Sequence, residues 1–158
     1  MIDLDVITGP GEWSQVADVE ALARRAIDAA TTVAMATAAP MELSLLLTDD
    51  AGIRELNRTW RNFDKPTNVL SFPGGGSPSP EGIHHLGDIA VAFETVAREA
   101  EAEGKSLADH LTHLIVHGTL HLLGYDHERD EEAEGMEALE TKALAGLGIA
   151  DPYRDMAA

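Results

Sequence analysis

The sequence predicts an α+β fold, a small mixed β-sheet of about four strands covered by helices, with a buried histidine-bearing helix at its centre. Three observations lead there. Read in order, the apolar patterns give helix, strand, helix, strand, strand and then three helices, a mixture that implies a small mixed sheet covered by helices. Two short apolar strands flank the stretch from Gly74 to Gly82, which is too short for a domain linker and suits a connection between strands. Residues 107–123 are apolar nearly all round, as in a helix enclosed by other elements.

Taken in order, residues 2–7 can form a strand. Residues 20–36 form a helix with Leu22, Ala23, Ala26 and Ile27 as its apolar stripe, and Pro40 ends that region. Residues 41–48 alternate and then run continuously apolar, as a buried strand does. Asp49 and Asp50 offer capping oxygens to a helix over residues 51–60. A polar loop fixed by Pro66 feeds a strand over residues 69–73, and a second strand follows over residues 86–93. The glycine-rich connection makes that pair antiparallel. A helix over residues 94–103 closes at Gly104, Ser106 caps the long helix, and a last helix runs over residues 130–147 to Gly148. At 158 residues the chain, 1–158, is expected to be one domain.

Composition narrows the function. There is no cysteine, so disulfides are excluded and any metal must be held by His, Asp or Glu. The start, Met1-Ile2-Asp3-Leu4-Asp5, lacks the basic and apolar regions of a signal peptide. No stretch reaches the roughly 18 uncharged apolar residues of a membrane span. A cytoplasmic protein with no membrane partner is expected. The formal charge of −17 argues against non-specific binding to nucleic acid. Residues 128–140 hold seven acids and one arginine and read as a solvated helix face. By contrast, residues 54–65 hold four of the eleven basic residues against two acids, a candidate anion site or an ordinary amphipathic helix.

The decisive motif runs from His117 to His127 with the spacing H-x-x-x-H-x-x-G-x-x-H. On a helix, His117 and His121 leave the same face one turn apart. Gly124 can take a left-handed conformation that ends the helix and turns His127 back beneath them. Three neutral imidazoles plus an open position describe a catalytic zinc site. His113 and His117 are also an i, i+4 pair. The trio His117, His121 and His127 is preferred because it alone explains Gly124, which leaves His113 to support a ligand or face substrate and His110 as a solvated histidine. Peptidases of the H-E-x-x-H type carry their general base directly after the first histidine, and here that position is Gly118. A zinc hydrolase that does not cut peptides is the simplest reading. Trp13 and Trp60 read as packing residues, His84 and His85 as a loop end, and Ser71 as a strand residue.

The segment His117–His127, together with Asp64-Lys65-Pro66-Thr67-Asn68-Val69-Leu70-Ser71-Phe72-Pro73 and Leu86-Gly87-Asp88-Ile89, resembles the YbeY family of bacterial rRNA maturation factors. Met136 to Glu140 and Asp151-Pro152-Tyr153 are similar too. The resemblance covers residues 41–153 and implies a zinc-dependent, single-strand-specific endoribonuclease. It would mature the 3′ end of 16S rRNA and serve ribosome quality control. It maps the zinc ligands onto His117, His121 and His127, with one Zn2+ per chain, and a functionally important arginine onto Arg61. The segment from Gly74 to Gly82 is richer in glycine and proline than the family pattern leads one to expect.

On this reading zinc lowers the pKa of a bound water from about 15.7 toward about 7 and polarises the phosphate. Arg61 stabilises the transition-state charge, and Arg61 and His117 are the catalytic candidates. Asp126 can orient a ligand. So acidic a protein binds free RNA poorly, so a small-subunit ribosomal protein or a ribosome-associated GTPase is the expected positioning partner alongside single-stranded rRNA. The alternatives are a non-catalytic, zinc-stabilised ribosome assembly factor and, against Gly118, a zinc peptidase or amidase.

Overall fold

The computed structural model describes residues 2–34, 40–74, 82–125 and 130–153. It contains the α+β architecture expected: four strands in one mixed sheet and five helices. The strands are β1 (Ile2–Thr8), β2 (Met41–Thr48), β3 (Val69–Pro73) and β4 (His84–Ala92), in the order β1-β2-β4-β3. β1, β2 and β4 are parallel, and β3 runs antiparallel to β4 at the edge opposite β1. The expected hairpin partners therefore do pair, although residues 75–81 of their connection lie outside the described residues.

The helices are α1 (Val19–Val33), α2 (Asp50–Arg61), α3 (Phe93–Glu103), α4 (Leu107–Leu122) and α5 (Asp130–Gly146). β2 alternates along its length. Leu43, Leu45 and Leu47 are buried with α1 and α4, while Leu46 on the opposite face packs with Ile53 and Leu56 of α2. α4 is buried at ten of its sixteen residues, as its all-round apolar sequence requires. Trp13 is 3 % exposed and packs edge-on to Phe93, a packing residue as expected.

Caps fix the helix starts. Asp49 accepts from the Gly52 N–H at 2.8 Å and Ser106 from the Asp109 N–H at 3.1 Å, the two sites the sequence marks. α3 follows Ala92, which has no capping side chain. Its cap comes from elsewhere: Asp50 of α2 accepts from the Thr95 N–H at 3.1 Å and the Thr95 hydroxyl at 2.7 Å. In return Glu94 of α3 accepts from the Asp50 N–H at 2.7 Å, so the two helices cap each other. Arg98 closes the cluster on Asp50 at 2.9 Å.

Burial opposes ionisation of Asp50, but hydrogen bonds from Thr95 and Arg98 outweigh it and hold its carboxyl below the ordinary 3.8. A lowered folded-state pKa contributes stability above the unfolded-state value and loses it as pH falls through the folded-state value. Asp50→Ala should therefore cost about 1 kcal/mol at neutral pH in urea denaturation. The gap from the wild type should close on acidification below 3.8.

Candidate active site

α4 carries His117 and His121 on one face, with ring centroids 4.7 Å apart and planes at 81°. The helix ends directly after them. Gly124 has φ +102°, its N–H donates to the His121 carbonyl at 3.0 Å, and the Tyr125 N–H donates to the Leu120 carbonyl at 3.1 Å. This is the glycine-dependent helix end the motif predicts. Asp126 and His127, expected as orienting carboxylate and third ligand, lie outside the described residues.

Behind the histidines stands Glu140 of α5, fully buried at 0 % exposure. One oxygen, Oε1, accepts from His117 Nδ1 at 2.6 Å and from His113 Nε2 at 3.2 Å. The other accepts from the Tyr153 hydroxyl at 2.6 Å. Burial alone would push the Glu140 carboxyl up, but the hydrogen bonds from His113, His117 and Tyr153 prevail and hold it at about 2. Burial and the adjacent carboxylate raise the Tyr153 hydroxyl well above its ordinary value, so it stays a donor. Because Glu140 is ionised, the His117 proton sits on Nδ1, and Nε2 is the nitrogen suited to a metal. A carboxylate fixing a histidine in this way is the common support of a metal ligand. Imidazole donors suit zinc. Among the described residues no group of three such side chains is arranged to hold a metal ion by itself.

The loop after α2 brings Arg61 to the same place. Asn62 takes a left-handed conformation at φ 58°, and the Asn57 side chain donates to the Lys65 carbonyl at 2.9 Å. Arg54 grips Asp64 at 2.7 and 3.2 Å. Arg61 Nη2 donates to the Ser71 carbonyl at 2.6 Å, and its guanidinium lies 5.2 Å from the centre of the Phe72 ring. Arg61, Asn68, Ser71, His117 and His121 line a single cleft of about 640 Å3. Asn68 donates to Glu99 of α3 at 3.0 Å, and Glu99 meets His110 of α4 at 3.0 Å, so the start of β3 is tied through α3 to the histidine helix.

A sequence profile for the family described as Endoribonuclease YbeY matches residues 11–148. The chain belongs to the YbeY family. A protein named Endoribonuclease YbeY from Bradyrhizobium diazoefficiens is 54 % identical over 147 residues, covering 90 % of this chain and 80 % of its own. One of the same name from Sinorhizobium fredii is 49 % identical over 167 residues, covering 98 % and 93 %. The solution structure of a Thermotoga maritima protein matches with a TM-score of 0.58 at 24 % identity, over 95 % of this chain and 98 % of that one, and shows the same fold.

Against the YbeY signature, the structure brings His117, His121 and Arg61 together and places His113 behind His117 through Glu140. Three sequence readings are corrected. His110 is not solvated: it is 4 % exposed and held by Glu99. Glu140 is not part of a solvated acidic face. Its signal was its phase, since Met136, Glu140, Ala143 and Leu144 form the buried stripe of α5. Trp60 is not a packing residue, being 70 % exposed. The basic island also thins, because Arg54 pairs with Asp64 and Arg58 with Glu55. Ser71 is a strand residue as read, its hydroxyl donating to the Gly118 carbonyl at 3.3 Å. His84 and His85 open β4 beside Met41 and Glu42.

Gly118 has a steric reason to be glycine. A Cβ there would stand 3.1 Å from Ser71 Oγ and 3.3 Å from two carbons of Ile89, because α4 lies this close to the sheet. Gly118→Glu restores the peptidase motif on paper but drives a carboxylate into that contact. It should lower stability by about 1–3 kcal/mol in urea denaturation. It should yield no casein turnover; measurable turnover would show that the position opens into the cleft.

Proposed function

We propose that this chain is a zinc-dependent endoribonuclease that cuts single-stranded RNA, acting in maturation of the 3′ end of 16S rRNA and in ribosome quality control. The observation that carries this reading is the shared cleft. Two imidazoles, one of them backed by the Glu140 carboxylate, share the cleft with a guanidinium, a pairing suited to a phosphodiester. Membership in a family whose curated members bear the name Endoribonuclease supports the same chemistry.

His117 and His121 would hold the metal, with His127 as the third ligand. Zinc bound there would supply a Lewis acid and an acidified water. The chain's own part is positioning. Glu140 keeps the His117 proton on Nδ1 and its ring in one orientation. Ser71 anchors one guanidinium nitrogen of Arg61. The remaining Arg61 N–H groups have no hydrogen-bond partner among the described residues and form a planar fork for phosphate oxygens. Gly118 leaves no carboxylate beside the first ligand to serve a peptidase. The acidic charge favours delivery to RNA by a ribosomal protein or a ribosome-associated GTPase over capture of free RNA.

Arg61→Ala should reduce cleavage of single-stranded RNA by roughly 100-fold with zinc content unchanged. His121→Ala should lose zinc and cleavage together. Wild-type cleavage rates in Arg61→Ala would remove the arginine from the mechanism, and cleavage by metal-free protein would remove the zinc. Glu140→Ala should weaken zinc binding by about 10–100-fold, read by competition with a chromophoric chelator.

A further inference from the structure

β3 divides two concavities. Ser71 and Pro73 face the histidine cleft, whereas Phe72 between them faces the opposite side of the sheet. There α2 covers the sheet only in part, leaving a groove of about 410 Å3 whose walls include Leu46, Leu56, Trp60 and Phe72. Trp60 is 70 % exposed and Ile7, on the same groove, 51 %. Single exposed apolar residues are ordinary on a protein surface, but here an open indole and an exposed isoleucine lie along one concave apolar groove, a setting that can take a flat, largely apolar group.

We infer that this groove takes a nucleobase of the single-stranded RNA whose phosphate lies against Arg61, with the Trp60 indole as the stacking platform. The inference rests on the ribonuclease reading above. Arg61 directly follows Trp60 in the last turn of α2 and lies over the Phe72 ring at 5.2 Å. The guanidinium therefore stands on the divide between cleft and groove. A strand crossing it presents phosphate to Arg61 and turns a base into the groove.

The lining chemistry separates the two halves of a nucleotide. The groove carries one carboxylate, Asp88, and no basic side chain among its described lining residues. That repels a phosphate and accepts a neutral base, whose amino group can donate to Asp88. Charge adds a second reason. A chain of net charge −17 gains little from general electrostatic attraction to RNA, so once the strand is delivered a non-ionic contact adds to the hold of Arg61. Base-on-aromatic stacking does this for any base, because every base has a π-face.

The chain reports on this site directly. Of its two tryptophans, Trp13 is 3 % exposed and Trp60 is 70 % exposed, so a stacked base quenches Trp60. Titration with a short oligoadenylate should quench the exposed-tryptophan emission in the wild type, and Trp60→Phe should abolish that signal. Trp60→Ala should raise KM for cleavage roughly tenfold with little change in kcat, and Trp60→Phe should recover most of the loss. An unquenched Trp60 at oligoadenylate concentrations that saturate cleavage, or an unchanged KM in Trp60→Ala, overturns the base site and leaves the groove to a protein partner. Failure of the wild type to cleave RNA would strike the ribonuclease reading instead. Quenching by oligoadenylate is then still read on its own, and its absence overturns the base site as well.

Discussion

A carboxylate removed from water stays ionised only where its oxygens are hydrogen-bonded, and Glu140 satisfies this with groups from separate parts of the chain. His113 and His117 come from α4, Glu140 from α5, and Tyr153 from the segment beyond it. Removing one partner would leave a buried charge short of donors, so the docking of α5 on α4 and the orientation of His117 are enforced by one requirement. The same interaction sets the character of the cleft. Tyr153 remains neutral and Glu140 remains negative, so His117 is backed by a fixed anion that favours a cation in front of it.

Much of this could be read in the sequence. The strand and helix bounds follow from apolar periodicity and from Asp49, Ser106 and Gly124, whose local chemistry admits few conformations. His117 and His121 were legible because helical spacing alone brings i and i+4 together. What was not legible depends on tertiary contact. His110 looks like one more polar residue on the histidine stripe until Glu99 of the neighbouring helix covers it. Glu140 lies in a run of acids whose composition says solvent, and only its phase with Met136, Ala143 and Leu144 says core. The parallel pairing of β1 with β2, and the insertion of β4 between β2 and β3, are likewise not written in any local pattern.

Charge and shape divide the work of the molecule unevenly. Twenty-eight acidic residues give the surface its overall sign. Within the basic stretch, Arg54 and Arg58 are neutralised by Asp64 and Glu55, and Arg61 is aimed at the cleft. An arginine held by a single carbonyl and an aromatic face keeps its orientation without a carboxylate partner to cancel its charge. Recognition is thereby concentrated at one point, and the acidic remainder of the surface discourages nucleic acid from settling elsewhere.

The mutual capping of α2 and α3 fixes the base of α2, while its middle rests on the sheet through Ile53 and Leu56 and its tip is tied to β3 through Arg61 and Ser71. Its base is fixed by Asp50, Glu94 and Thr95, and its tip carries Trp60 and Arg61. Twelve residues make a rod of about 18 Å, on which a tilt of about 5° at the base swings the tip by about 1.5 Å. A misplacement on the order of 1 Å in a reacting geometry can lower a rate on the order of 100-fold. The first turn of α3 lines neither cleft nor groove, yet by fixing the base of α2 it shares with Ser71 and Phe72 in setting where the arginine stands.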